Sequence, residues 1–343
     1  MAETVRAAVL RRAGELAIEE RPMPRPGQGQ VAVAVEHCGV CGSDVHYFLD
    51  GRIGDMVVEA PLVLGHEFAG TIAELGEGVG GLEVGQPVAV QPGVPCGRCR
   101  LCRGGRYNLC PDVSFAATPP VDGALTDRFV TAADFVHPLP DGLTTEDGAL
   151  GEPLACAVHA VERAGVRLGH RVAVLGSGPI GLMVSVACQA VGATVALATD
   201  LVPARLAMAR TLGAERTLDP NATDIVAAMK GEEIDVAVDC AGALDTPQQG
   251  IDLVRRGGTV LIIGFPRGAT VPLDMARAVR KELDILPMLR FVGHFPAALA
   301  LLRRERGRLR RLITHRFAFG ETERALRLVD SRADGVVKAM IAL

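Results

Sequence analysis

The stretch VAVLGSGPIGLM constrains the fold most, because its glycines stand directly between an apolar segment and an apolar helical one. Gly176, Gly178 and Gly181 form the pattern G-x-G-x-x-G after the segment 171–175. Similar apolar segments, separated by alanine-rich helical stretches, recur at 195–199, 235–239 and 259–264. Strands that alternate with helices in this way build right-handed β-α-β units of a parallel sheet. An α/β Rossmann domain with a doubly wound parallel sheet is therefore predicted for this half of the chain.

The glycine turn also predicts a bound dinucleotide. Glycines let the backbone approach a pyrophosphate closely, and the helix N-terminus offers it free N–H groups and a positive dipole; Pro179 and Ile180 lie in the same turn. The next strand ends at Asp200, whose carboxylate can accept hydrogen bonds from both hydroxyls of the adenosine ribose. Because this carboxylate would repel the extra phosphate of NADP, we predict NAD. Arg205 is interpreted either as packing over the adenine or as an ordinary helix-surface arginine.

Composition excludes several classes of protein. The 343 residues are 49% hydrophobic with a net charge of only −4, so we expect neither a nucleic-acid nor a membrane partner. The arginine-rich stretch 303–311 is interpreted as a solvated helix face. The uncharged stretch 172–199 is long enough to cross a bilayer, but its glycines and Pro179 favour buried strands around a helix. The first residues lack an apolar signal core, which predicts a cytoplasmic protein.

A change in the pattern of apolar residues along the chain predicts two domains. Short alternating apolar runs broken by glycine and proline extend to about residue 139, as in an irregular all-β unit. After residue 287 the sequence predicts helices at 295–304 and 321–331, a strand at 313–319, and a closing strand at 335–343 that rejoins the first unit. We therefore assign 1–150 with 288–343 to one domain and 151–287 to the nucleotide-binding domain.

Two groups of side chains have the spacing of metal sites. Cys41, His66 and Glu67 lie among glycines and suit a catalytic zinc with few protein ligands and a position left for a substrate oxygen. The second group is C-x2-C-x2-C-x7-C in a polar loop that burial alone could not hold together, and four thiolates on one zinc could close it. It comprises Cys96, Cys99, Cys102 and Cys110. An iron–sulfur cluster is the alternative for these four residues.

With these motifs together, the chain resembles the zinc-dependent medium-chain dehydrogenases along nearly its whole length, and within them the sorbitol and xylitol dehydrogenases. The motifs that carry the resemblance are CGSDVHY at 41–47, GRIG at 51–54, PLVLGHE at 61–67, FAATPP at 115–120 and GALGEPLACAVHA at 148–160. The resemblance implies that the all-β unit is a GroES-like catalytic domain. It also implies a homo-oligomer, a tetramer with a dimer as the alternative.

The resemblance assigns roles to particular residues. Family members bind catalytic zinc through a cysteine, a histidine, a neighbouring glutamate and water, which correspond here to Cys41, His66 and Glu67. A further glutamate corresponds to Glu152, which would act directly or through water, or would only face the helix dipole. A proton path in the family runs from a hydroxyl through the cofactor ribose to a histidine, and Ser43 and His46 occupy those positions, although Ser43 and Asp44 could merely form a turn.

The substrate pocket is implied by the same resemblance. Tyr47, Phe115, Glu152 and Arg290 fall where polyol dehydrogenases line their pockets. Arg290 is followed by Phe291 where the family has tyrosine, and the next residues also depart from the family. Such changes remove hydrogen-bond donors for substrate hydroxyls.

The sequence as a whole predicts NAD-dependent and zinc-dependent reversible oxidation of a polyol at C2, with sorbitol, xylitol or L-iditol as substrate and a ketose as product. The alternatives are another secondary alcohol or sugar acid, such as butanediol or threonine, on the same fold. A non-catalytic redox sensor that binds NAD and zinc is a further alternative.

Overall fold

The computed structural model describes residues 3–265 and 270–343. The chain divides into two compact units, Met1–Glu152 with Phe295–Leu343 and Pro153–His294. Each unit has its own hydrophobic core among the described residues.

The first unit begins with short strands and few helices. Its strands are β1 (Thr4–Arg12), β2 (Glu15–Pro22), β3 (Gln30–Gly39), β4 (Arg52–Ile53), β5 (Met56–Val57), β6 (Leu62–Val63), β7 (Glu67–Leu75), β8 (Pro87–Val90), β9 (Gly93–Val94), β10 (Ser114–Phe115), β11 (Arg128–Ala132) and β12 (Val136–Pro138). Its helices up to this point are α1 (Gly42–Asp50), α2 (Arg100–Arg103) and α3 (Thr145–Gly148).

The second unit is a parallel sheet with helical crossovers. Its strands are β13 (Arg171–Leu175), β14 (Thr194–Thr199), β15 (Arg216–Leu218), β16 (Ile234–Asp239), β17 (Val254–Ile262) and β18 (Asp284–Pro287). The helices are α4 (Gly151–Arg163), which begins in the first unit, α5 (Pro179–Ala190), α6 (Pro203–Thr211), α7 (Ile225–Ala228), α8 (Thr246–Leu253) and α9 (Met275–Lys281). The strand order is β15-β14-β13-β16-β17-β18, and every neighbouring pair is parallel. This is the order of a Rossmann fold, so the predicted fold class is confirmed.

The end of the chain returns to the first unit. It forms α10 (Phe295–Arg304), α11 (Arg306–Leu309), β19 (Ile313–Ala318), α12 (Thr322–Ser331) and β20 (Lys338–Ala342). Strand β20 rejoins the first unit, as predicted, by pairing with β3. It belongs to a seven-stranded sheet that runs β12-β8-β7-β3-β20-β19, with β11 also paired to β3. The last strand therefore lies next to β3, which ends just before Cys41.

Helix α1 lies inside the part of the chain that was predicted to be all-β. Its nine residues are too few for apolar periodicity to distinguish a helix from a short strand. Its N-terminus is defined by a capping box between Cys41 and Asp44. This helix matters for function because it begins at a predicted metal ligand.

Two other predictions concern charge and hydropathy. The apolar stretch 172–199 forms β13, α5 and β14, and no helix among the described residues is long and apolar enough to cross a membrane. Most arginines of the stretch 303–311 are exposed, as predicted for a solvated face, and two of them also form ion pairs with α3. Arg306 Nε lies 2.9 Å from Asp147 Oδ2, and Arg310 contacts Glu146 at 3.2 Å. These guanidinium groups neutralise buried carboxylates of α3.

Candidate metal and cofactor sites

Three predicted ligands meet at one point of the first unit. Cys41 stands just before α1, while His66 and Glu67 stand at the start of β7. One ligand atom from each residue lies within 4.8 Å of the others. His66 and Glu67 are buried and Cys41 is partly exposed. A thiolate, an imidazole and a carboxylate at this spacing fit a tetrahedral zinc whose fourth position is open to a small ligand.

Asp44 fixes the positions of two of these ligands. Its Oδ2 accepts a hydrogen bond from the Cys41 N–H at 3.0 Å, and its Oδ1 accepts one from the Gly65 N–H at 3.0 Å. The same Oδ1 lies 3.6 Å from His66 Nδ1. Burial lowers the pKa of His66, but the Asp44 carboxylate and Cys41 more than offset burial and hold that pKa well above its ordinary value. The carboxylate of Asp44 therefore orients the imidazole from outside the metal site.

Lys338 forms an ion pair with the predicted ligand Glu67. Both residues are about 1% exposed, and Lys338 Nζ also donates to the Val40 carbonyl at 3.0 Å. Burial lowers the pKa of Lys338, but the Glu67 carboxylate outweighs that effect and raises it. The pair fits above β3 because Gly39 has no side chain: a Cβ there would lie 2.4 Å from Glu67 Oε2. Glu67 is thus held in place by a buried cation.

Glu152 lies outside the three-residue cluster. It is buried in the first turn of α4, and its charge acts on Lys338, but it is not among the groups of ligand atoms that meet within 4.8 Å in the described chain. Its direct or water-mediated role at the metal site stays a prediction. Its position in the first helical turn is also favourable for a carboxylate.

Two predicted pocket residues are buried in the first unit. The ring centroid of Phe115 lies 5.8 Å from that of His66. The hydroxyl of Tyr47 donates to Met56 Sδ at 3.8 Å. Phe115 thus shields one side of the imidazole, whereas Tyr47 packs on the buried side of α1.

The residues of the predicted proton path both lie on α1. Ser43 is partly exposed, and so is His46, whose Nδ1 lies 3.2 Å from Asp50 Oδ2. Arg290 belongs to the second unit and has a left-handed backbone with φ of 54°.

The four cysteines of the polar loop lie close enough together to bind one metal ion. Their sulfur atoms are 3.4 Å apart for Cys99–Cys102, 3.9 Å for Cys96–Cys102 and 4.0 Å for Cys99–Cys110. Tetrahedral Zn–S bonds of about 2.3 Å place neighbouring sulfurs about 3.8 Å apart. Backbone N–H groups of Arg98 and Cys99 lower the pKa of Cys96 to about 6. The geometry fits one zinc ion, whereas thiolates on separate irons of a cluster would stand farther apart.

The glycine turn between β13 and α5 has the shape required to hold a pyrophosphate. Gly176 has a φ of 96°, and a Cβ there would come within 2.9 Å of the Ala241 backbone. A Cβ on Gly181 would lie 1.8 Å from the Gly176 carbonyl oxygen. Pro179 begins α5 at the end of this turn, and Ile180 follows it. The turn therefore admits only glycine at two of the three glycine positions of the motif, 176 and 181.

Asp200 and Arg205 both face this turn. The Asp200 carboxylate accepts hydrogen bonds from the N–H groups of Ser177 and Val202, each at 2.9 Å. Arg205 is 9% exposed, and its guanidinium is 3.9 Å from where a Cβ of Gly178 would be. Of the two interpretations of Arg205, the structure excludes an ordinary surface side chain. Asp200 still has lone pairs for ribose hydroxyls, because each carboxylate oxygen can accept two hydrogen bonds.

Comparison with known families agrees with this geometry. Residues 27–141 match the family described as "Alcohol dehydrogenase GroES-like domain", and residues 179–304 match "Zinc-binding dehydrogenase". The chain belongs to the zinc-dependent medium-chain dehydrogenases. The predicted family is thereby confirmed, and the protein is an oxidoreductase.

Individual relatives of this medium-chain dehydrogenase align over almost the whole chain. Sorbitol dehydrogenase of Gallus gallus is 42% identical over 339 residues, which cover 96% of this chain and 94% of the relative. An oxidoreductase of unknown specificity from Escherichia coli has a TM-score of 0.93 at 34% identity, with 99% of each chain covered. 2R,3R-butanediol dehydrogenase from Bacillus subtilis has a TM-score of 0.89 at 30% identity, again with 99% of each chain covered.

Sequence reasoning missed two residues that support the metal site of this dehydrogenase. Asp44 was interpreted only as part of a turn. Its carboxylate also binds the Gly65 N–H, which is distant in sequence, so residue spacing does not reveal this contact. Lys338 went unnoticed, although the sequence offered a signal. It is a lone charge in the apolar segment VVKAMIAL, and a lysine in a buried strand requires an acidic partner.

Proposed function

We propose that the protein catalyses NAD-dependent, zinc-dependent and reversible oxidation of a polyol at C2, giving a ketose, with sorbitol, xylitol or L-iditol as substrate. The observation that carries the proposal is the cluster of Cys41, His66 and Glu67 in a chain that is 42% identical to a sorbitol dehydrogenase. One thiolate and a nearby carboxylate form a less sulfur-rich ligand set than several thiolates would. Such a set leaves a metal ion more electrophilic.

We propose a different role for each of the two domains. We assign catalysis to the domain of residues 1–150 with 288–343 and cofactor binding to residues 151–287. Zinc held by Cys41, His66 and Glu67 would polarise the substrate hydroxyl, and NAD would accept the hydride. Asp44 keeps the His66 imidazole oriented, and Lys338 keeps the Glu67 carboxylate in place. Glu152 would contact the site through water.

The proton of the substrate hydroxyl needs an acceptor. We assign its removal to Ser43, with His46 as the terminal group that passes it to solvent. The partly exposed imidazole of His46 supports this role, since a side chain in contact with solvent can pass a proton to water. Phe115 beside His66 would exclude water from the metal site, and Tyr47 and Arg290 would contact the substrate.

NAD is the proposed cofactor because of the glycine turn and Asp200. Gly176, Gly178 and Gly181 with Pro179 and Ile180 would form the cradle for the pyrophosphate. Asp200 would bind the ribose hydroxyls, and the guanidinium of Arg205 beside Gly178 would pack over the cofactor. The negative charge of Asp200 disfavours the additional phosphate of NADP.

The second zinc would be structural. Cys96, Cys99, Cys102 and Cys110 supply four thiolates, so a tetrahedral ion held by them has no position for substrate. We also propose a cytoplasmic homo-oligomer, a tetramer or a dimer, with a small molecule as its partner and neither nucleic acid nor membrane. The exposed apolar side chains of Phe265, Met275 and Val279 support association between copies.

A different secondary alcohol is the second candidate, because a butanediol dehydrogenase shares this fold at 30% identity. The decisive experiment measures NADH formation from sorbitol, xylitol, L-iditol and 2,3-butanediol by the zinc-replete protein. The proposal expects the highest kcat/KM with a polyol of five or six carbons. A clear preference for butanediol would support the second candidate, and no turnover with any alcohol would reject both.

A further inference from the structure

One segment of the second unit is tied at both of its ends to the same helical turn. The segment is 287–294, and the turn is the end of α4. Arg163 Nε donates a hydrogen bond to the Pro287 carbonyl at 2.8 Å. At the other end, His294 Nε2 lies 2.7 Å from Glu162 Oε2. We call these two contacts the α4 clamp.

Between the two ends, the backbone is left-handed at two residues. Arg290 has a φ of 54° and Gly293 a φ of 70°. A left-handed conformation is unfavourable for a residue with a Cβ, so surrounding contacts must impose it on Arg290. Phe291 is 4% exposed and anchors the middle of the segment. The two clamp contacts therefore hold the ends of the backbone stretch that carries Arg290.

A second histidine supports the His294 end of the clamp. His159 lies one helical turn before Glu162 on α4, and its ring centroid is 4.7 Å from that of His294. Burial, the neighbouring His294 and Arg163 lower the pKa of His159 to about 4. The ring is consequently neutral near pH 7, so it packs against His294 without repelling it. His294 itself is only 8% exposed.

We propose that His294, Glu162 and Arg163 are positioning residues, which hold segment 287–294 so that Arg290 is presented to the substrate in one fixed geometry. The inference rests on the proposed function, which places Arg290 in the polyol pocket. The clamp would be a specificity device of this chain. Substrate affinity, more than the chemical step, should depend on it.

The test compares His294→Ala and Glu162→Ala with His294→Gln, which retains an N–H donor at the reach of Nε2. His170→Ala is the matched control, because that histidine contacts Arg167 elsewhere in the same unit. We expect KM for sorbitol to rise about three- to tenfold in the alanine variants, with kcat changed less than about twofold and KM for NAD unchanged. His294→Gln should recover part of the loss, and the control should behave like the wild type.

Hydrogen–deuterium exchange of the peptide covering 287–294 supplies a readout that does not depend on turnover. Faster exchange in His294→Ala than in the wild type is expected. Unchanged exchange would overturn the clamp, and faster exchange with an unchanged KM for sorbitol would overturn its role in positioning Arg290. If the proposed function were wrong, the wild-type protein would oxidise no polyol. The exchange data would still show whether the clamp holds the segment.

Discussion

Lys338 and Glu67 form an ion pair in the interior of the first unit, and about 1% of each residue is exposed. The two residues are separated by most of the chain and meet only because β20 and β7 lie on either side of β3. Gly39 on β3 leaves the space that the pair occupies. The final strand of the chain therefore supplies the charge that holds a predicted metal ligand.

Replacing Lys338 should destabilise the protein strongly. Lys338→Met leaves the Glu67 carboxylate buried without a cation, and breaking a buried pair in this way costs about 3–5 kcal/mol in the free energy of unfolding. The loss should be largest after chelation of zinc, since a bound ion would compensate the carboxylate. Guanidinium denaturation with and without chelator measures the effect. The double variant Lys338→Met with Glu67→Gln should regain most of the stability, and a single variant as stable as the wild type in chelator would argue against the pair.

The four-cysteine loop should bind zinc for stability alone. In Cys102→Ser, zinc content should fall from about two ions to about one per subunit, because a tetrahedral structural site needs all four ligands. The melting temperature should fall, while turnover per folded subunit at low temperature should stay close to that of the wild type. Cys156→Ala is the control, since this residue belongs to neither cysteine cluster. Loss of all turnover together with retention of both ions would contradict the assignment.

The charge of Asp200 should set the choice of cofactor. Asp200→Asn removes the charge but retains an oxygen that can accept a backbone N–H from the turn. The ratio of kcat/KM for NAD to that for NADP should fall about tenfold or more, as repulsion of the extra phosphate is lost. Steady-state kinetics with both cofactors gives the ratio. A ratio equal to that of the wild type would show that Asp200 does not discriminate between them.

His159 should make the second unit sensitive to acid. Burial, His294 and Arg163 lower its pKa to about 4 in the folded protein, against about 6.5 when unfolded. The unfolded chain therefore binds more protons between these values, and stability falls as pH drops from about 6.5 toward 4. Because the ring is only partly buried, we expect its share to be about 1–2 kcal/mol. Urea denaturation at pH 7 and pH 4.5 should show a smaller difference for His159→Gln than for the wild type, and equal differences would refute this.

Local signals in the sequence predicted the Rossmann sheet well. The glycine motif and the apolar segments can be recognised within short stretches of sequence. Gly181, for example, is required because it packs against the Gly176 carbonyl in the same turn. The α1 helix was missed because its periodicity spans only nine residues. Asp44 and Lys338 depend on contacts between distant segments, which no spacing rule specifies. Glu152 shows the same limit: the sequence placed it near the metal site but could not say whether it joins the three ligands.

We propose that Cys41, His66 and Glu67 hold the zinc ion on which polyol oxidation depends. The most direct test measures zinc content and sorbitol oxidation in parallel for the wild type and Cys41→Ala, with NAD binding followed by fluorescence. We expect the variant to lose about one zinc per subunit and at least about 100-fold in kcat/KM for sorbitol, while it still binds NAD. A variant that keeps its full zinc content and oxidises sorbitol at the wild-type rate would contradict the proposed zinc site.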